Sequence, residues 1–212
     1  MSAQAAKIVL IEGSPRRSGN TAQLGALLAE HLRESGADVA RFSVAEQYFE
    51  PCNGCNACLK TGKCVLDNEH DAMPALSVAL DSCDALLWVT PLYFAGVPAQ
   101  LKGLIDRLQV YYGRRLLHGK PTAARRPAAA VILRAGGDPF GAEAAILTLR
   151  SASQMAEFTL PEPLVISGID KPGDLMSASL VSEHAKALVL ADALEERTRE
   201  RTREQIQVRG DA

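Results

Sequence analysis

Two stretches of this chain carry residue types at spacings fit for chemistry. The first reads Cys52-x2-Cys55-x2-Cys58-x5-Cys64. Three thiolates at successive two-residue gaps wrap a short loop around one centre, and a fourth arrives after a turn containing Gly62. Bacterial ferredoxins use C-x2-C-x2-C for three corners of a [4Fe–4S] cluster and import the fourth ligand. Here Cys64 can supply it locally. Structural zinc prefers two separated C-x2-C pairs, which this is not. The competing reading is that these cysteines only pack. Cys83 stands apart, before an apolar run, and reads as a small buried hydrophobe.

The second stretch is Gly13-Ser14-Pro15-Arg16-Arg17-Ser18-Gly19-Asn20-Thr21. It follows the apolar run Ile8-Val9-Leu10-Ile11 and opens an amphipathic segment from about Ala22. A strand, a Gly/Ser turn and a helix start form an anion site, because orphan helix N–H groups and the helix dipole face the turn. Ser14, Ser18, Thr21, Asn20 and two guanidinium groups add donors. Asn20 with Gln23 reads as a capping-box variant. A triphosphate loop needs Lys where Asn20 stands, and the dinucleotide fingerprint needs Gly where Pro15 stands. The donors therefore suit a terminal monophosphate.

Positioning these groups falls to an alternating chain. The sequence predicts strands at about 7–12, 38–44, 85–90 and 128–134, and near 164–166. Helices are expected from about 22 to 36, 73 to 80, 98 to 110, 141 to 156 and 182 to 201. Leu24, Leu27, Leu28 and Leu32 mark the first buried stripe, with His31 read as packing at its edge. Buried strands separated by helices argue for an α/β fold, a parallel sheet covered on both faces. Ligands in such folds sit beyond the carboxyl ends of the strands. The loops there are 13–21, 91–96 and 135–141. Tyr93 and Phe94 can line a flat ring, and Gly136 and Gly137 let backbone amides approach its edge. A phosphate at the first loop and a planar ring between the other two spell FMN.

The 212 residues, 47% hydrophobic and 23% charged with a formal net charge of −2, suit a soluble globular protein. That charge argues against nucleic-acid and membrane-surface roles. No apolar run approaches a bilayer span, and the first residues lack a signal pattern, so the expected compartment is the cytoplasm. Thiols stay reduced there, so the five cysteines are not read as a disulfide framework.

The phosphate-loop stretch, the cysteines, Thr90-Pro91-Leu92-Tyr93-Phe94 and Gln100-Leu101-Lys102-Gly103-Leu104-Ile105-Asp106-Arg107 together resemble the flavodoxin-like NADPH-dependent FMN reductases, and among them the iron–sulfur flavoproteins. The resemblance covers about the first 140 residues. It implies a flavodoxin-like three-layer sandwich with a five-stranded parallel sheet of order 2-1-3-4-5. The FMN-binding domain would span 1–194 with a cysteine insertion at 51–71, leaving 195–212 as a charged helix end or tail. The resemblance also implies phosphate contacts from Ser14, Arg16, Ser18, Asn20 and Thr21, and ring contacts from Pro91, Leu92, Tyr93 and Phe94. A cluster on Cys52, Cys55, Cys58 and Cys64 follows from it as well. Relatives carry a compact Asp-Asp-Met after the last cysteine, where this chain reads Asp67-Asn68-Glu69-His70-Asp71-Ala72-Met73.

The function this implies is electron transfer between a [4Fe–4S] cluster and FMN, in a homodimer or dimer of dimers, with ferredoxin or NAD(P)H as redox partner. The alternatives are a cluster-free NAD(P)H-dependent FMN or quinone reductase, and a non-enzymatic metal-binding or regulatory module. Arg114, Arg115, Lys120, Arg125 and Arg126 read as a solvated surface loop, with docking of an acidic ferredoxin or a nicotinamide 2′-phosphate as the alternative.

Overall fold

The computed structural model describes residues 5–119, 125–137, 139–177 and 181–210. Strands β1 (Lys7–Glu12), β2 (Asp38–Ser43), β3 (Ala85–Pro91) and β4 (Arg126–Leu133) alternate with helices α1 (Asn20–Glu34), α2 (Cys58–Thr61), α3 (Met73–Ser82), α4 (Ala99–Arg107) and α5 (Gln109–His118). Then come α6 (Glu143–Met155), β5 (Phe158–Thr159), β6 (Leu164–Ile166), a 3-10 turn at Asp174–Met176 and α7 (Val181–Gly210). All strand pairs are parallel and the order is β2-β1-β3-β4-β5, with β6 also on β4. This is the flavodoxin-like order 2-1-3-4-5.

β1 and β3 sit inside the sheet, so both of their faces are buried and their sequences run apolar almost without a break. Alternate residues serve opposite faces. Ile8, Leu10, Leu87 and Val89 meet α1 and α7, whereas Val9, Ile11, Leu86 and Trp88 meet α3, α4 and α6. The Trp88 indole N–H is not left unpaired there: it donates to Ser153 Oγ at 2.9 Å.

Several elements differ from the sequence expectation. The fifth sheet position is shared by β5, on the start of β4, and β6, on its end. Pro161 and Pro163 lie between them, and proline cannot donate to a ladder. The helix expected over 98–110 breaks at Leu108 into α4 and α5. α1 starts at Asn20 with Gly19 as its cap and no side-chain capping bond, so the capping box does not form. α7 runs on to Gly210, beyond the expected end near 201, and Glu195 and Thr198 on it are buried. His31 is not merely packing: its Nε2 lies 2.6 Å from Asp192 on α7. In the basic run, Arg126 donates to Leu80 O, Cys83 O and Ala156 O and lies over Phe158, a structural position rather than a solvated one. Arg114 likewise ties Gly62 O and Asp81. Lys120 of that run, and Asp138 of the loop after β4, lie outside the described residues.

Candidate functional site

The turn after β1 is held close to the sheet. Gly13 N–H donates to Val89 O at 2.8 Å, and a Cβ on Gly13 would meet Leu101 Cδ2 at 2.4 Å and Thr90 Oγ1 at 2.7 Å. Only glycine fits that approach. Glu12, buried at the end of β1, is paired with Arg41 at 2.6 Å. Burial raises its pKa and the Arg41 guanidinium only partly counters this.

Beyond this turn, a cavity of about 350 Å³ is lined by Ser14, Arg16, Gly19, Asn20 and Thr21 on one side and Pro91, Leu92, Tyr93 and Phe94 on the other. Eight of the residues expected at a phosphate or ring thus meet in one place. Ser14 and Thr21 are buried, and Ser14 Oγ accepts from Arg16 N–H at 3.1 Å. The Arg16 guanidinium lies 5.9 Å from the Tyr93 ring centre, so one cation faces both the phosphate end and the aromatic end. The first turn of α1 holds no acidic side chain, which leaves its positive end uncompensated. This donor set fits a phosphate dianion bearing a planar ring.

The ring side is a tight turn. Tyr93 and Gly96 exchange two backbone bonds, at 2.9 and 3.0 Å, and Phe94 and Ala95 between them take φ of 49° and 61°. Left-handed backbone at two consecutive side-chain-bearing residues is strained. Its result is a fully exposed Phe94 ring beside the cavity.

Not every expected residue lies here. Ser18, Gly136 and Gly137 are absent from the lining, where Ala135 stands for its loop. Arg17 turns away and donates to Ala45 O at 3.0 Å. The sequence reading missed Ile169, Asp170, Lys171 and Pro172, which close the cavity from the loop after β6. Asn20 holds that loop with both ends of its amide, donating to Lys171 O at 2.8 Å and accepting from Gly173 N at 2.9 Å. The loop follows a strand at the carboxyl edge and carries Pro172-Gly173, which was the available signal.

The cysteine segment leaves the same edge after β2. Asn56 and Gly62 take left-handed backbone around the one-turn helix α2, and Gly54 N–H donates to Cys52 Sγ at 3.5 Å. α5 clamps the segment so closely that a Cβ on Gly113 would lie 2.2 Å from Cys58 O. Cys52, Cys55, Cys58 and Cys64 all line one cavity of about 320 Å³ with Val65, Leu66, Arg107 and Val110. All four are free thiols, and burial together with the neighbouring Cys64 raises the Cys58 pKa. Among the described residues no three His, Cys, Asp or Glu side chains are grouped closely enough to hold a single metal ion.

Arg107 was not singled out from the sequence. Its side chain is fully buried, with Nη1 donating to Glu50 O and to Asp71 at 2.7 Å and Nη2 to Asp67 at 2.6 Å. Both departing aspartates of the segment therefore converge on one guanidinium, and Arg107 staples its two ends. Arg107 Nε is buried and has no hydrogen-bond partner among the described residues. The signal was a cation placed on the apolar stripe of Leu101, Leu104, Ile105 and Leu108.

A family model described as NADPH-dependent FMN reductase matches residues 6–170. An iron–sulfur flavoprotein of Archaeoglobus fulgidus is 35% identical over 114 residues, 54% of this chain and 50% of that protein. One of Methanocaldococcus jannaschii is 31% identical over 144 residues, 68% of each chain. The chain spans about half the length of most curated relatives it matches, such as the 50% covered in Archaeoglobus. The solved azoreductase of Bacillus anthracis superposes with a TM-score of 0.61 at 15% identity, over 90% of this chain and 99% of that one. At that identity the likeness is one of fold.

Proposed function

This chain belongs to the NADPH-dependent FMN reductase family, and from that premise we propose that it is a flavin-dependent oxidoreductase moving electrons between FMN and a [4Fe–4S] cluster in the cytoplasm. The observation that carries the reading is the pairing of two cavities along one helix. α4 begins just after the aromatic turn and ends at Arg107 in the cysteine cavity, about 13 Å away along its axis.

Ser14, Arg16 and Thr21 would hold the FMN phosphate, with the α1 N-terminus behind it, and Asn20 would hold the covering loop in place. Pro91, Leu92, Tyr93 and Phe94 would seat the ring. Cys52, Cys55, Cys58 and Cys64 would each supply one thiolate to iron. A single zinc ion bonds sulfur at about 2.3 Å and needs its ligands drawn together; thiols spread around a cavity suit a larger body. Bound FMN exchanges electrons in pairs or singly, and a cluster exchanges them one at a time. The chain's share is to fix both groups, bury them and set their hydrogen bonds. A dimer or dimer of dimers, and ferredoxin or NAD(P)H as redox partner, belong to the same proposal.

Anaerobic protein reconstituted with iron and sulfide tests this. Wild type should carry FMN, iron and acid-labile sulfide. Cys58→Ala should lose most of the iron while keeping FMN, and Cys83→Ala should match wild type. Near-zero iron in the reconstituted wild type overturns the cluster. The second reading, a cluster-free NAD(P)H-dependent FMN or quinone reductase, is favoured by the exposed Phe94 ring, which offers a stacking face to a planar acceptor. FMN-dependent turnover in iron-free protein would select it.

A further inference from the structure

We propose that Arg107 is a positioning residue for the cluster: its Nε–H donates a hydrogen bond to sulfur in the cysteine cavity and raises the cluster's reduction potential. The proposal rests on the cluster reading above.

The guanidinium has five N–H donors in a fixed planar fork. Three bonds are accounted for, all from the two terminal nitrogens, to Glu50 O, Asp71 and Asp67. These bonds clamp the plane of the fork, and the Arg107 side chain has no exposed surface left. A buried N–H without a partner is costly, because its bond to water is lost and nothing replaces it. Nε is such a group, and Arg107 is the arginine lining the cavity of the four cysteines.

The missing acceptor is thus expected in that cavity. Among the remaining lining side chains, none of Asn53, Asn56, Gln109 and Asp106 accepts from Nε, and Asp106 is engaged by Lys102 at 2.7 Å. Sulfur bound to iron is electron-rich and gains negative charge on reduction. A donor fixed against it stabilises the reduced form more than the oxidised one, which moves the potential upward. The charge balance agrees: Asp71 is fully buried beside Arg107, while Asp67 is 40% exposed, so solvent shares its neutralisation. A purely structural staple would use the two terminal nitrogens and leave the cavity electrostatics unchanged when its charge is kept.

The test uses the full chain, reconstituted anaerobically with iron and sulfide. Protein carrying arginine labelled with 15N at Nε is reduced and examined by pulsed EPR. A 15N coupling to the cluster is expected in wild type, and its loss in Arg107→Lys, which keeps a cation for Asp71. Redox titration of the same variant should give a more negative cluster potential with an unchanged FMN potential. A cluster in wild type without 15N coupling overturns the role of Arg107 while leaving the proposed function standing. An unchanged cluster potential in Arg107→Lys overturns it equally. Should Arg107→Lys fail to fold, the labelled wild type decides alone. Iron-free wild type after reconstitution removes the proposed function, and this inference with it.

Discussion

Two arginines adjacent in sequence have opposite expected roles at the phosphate loop. Arg16 lines the cavity, whereas Arg17 is spent on Ala45 O. Arg16→Ala should weaken FMN binding by about 1.5–3 kcal/mol, the scale of a charge-assisted hydrogen bond, or roughly 10- to 150-fold. Arg17→Ala should leave affinity nearly unchanged; flavin fluorescence titration of both variants reads the contrast directly. Cys83 offers a second test on a single side chain. Burial pushes its thiol from 9.0 up to about 11. The native state therefore holds this proton more tightly than the unfolded one. Its contribution to stability is complete below about pH 9 and is lost as pH rises toward about 11. Alkylation of the iron-free protein at pH 8 should label the exposed Cys55 well before Cys83, as mass spectrometry of quenched samples would show.

At the scale of elements, close packing locates both cavities. α5 can approach the cysteine segment only because residue 113 has no side chain. Gly113→Ala would drive a methyl into the Cys58 carbonyl, costing about 1–3 kcal/mol and displacing the segment. Iron uptake should fall several-fold while FMN binding stays near wild type, since the two cavities share no lining residue. Iron uptake equal to wild type would show that the segment does not depend on this contact. The loop after β6 depends on one side chain in a comparable way. Asn20→Ala removes both amide bonds to Lys171 and Gly173. It should weaken FMN binding and quicken amide exchange over residues 169–173, with exchange elsewhere unchanged.

The whole molecule presents a groove between α4 and α6. Ile105, Leu108, Leu147 and Met155 line it together with Lys102, Asp106, Gln109, Thr148 and Ser151, and Leu147 is 66% exposed. We expect this face to be covered in a homodimer or larger assembly. Light scattering at micromolar concentration should give at least twice the 22.6 kDa chain mass. Leu147→Glu should loosen the assembly by about 10- to 100-fold, the cost of losing a buried leucine at the contact. A clean monomer for the wild type would sink the expectation. Among the described residues no helix is long and apolar enough to cross a membrane.

How far such features can be read without coordinates depends on whether their cause is local. The apolar runs of β1 and β3, the glycine and hydroxyl turn before α1 and the spacing of the four cysteines were all legible, because hydrophobic period and ligand spacing are properties of neighbours in the chain. So were the strand order, through resemblance, and eight residues of the first cavity. The rest depends on partners distant in sequence. Asn20 looked like a cap, but a loop about 150 residues away takes both ends of its amide. Arg107 fell within an expected helix with nothing to single it out, and only folding sets it against Glu50, Asp67 and Asp71. The division of the fifth sheet position between β5 and β6 likewise needed β4 in place. A polar side chain declares its type in sequence, but which buried acceptor claims its hydrogens is decided by the tertiary structure, because every buried donor must find a partner and the chain alone does not say which surfaces meet.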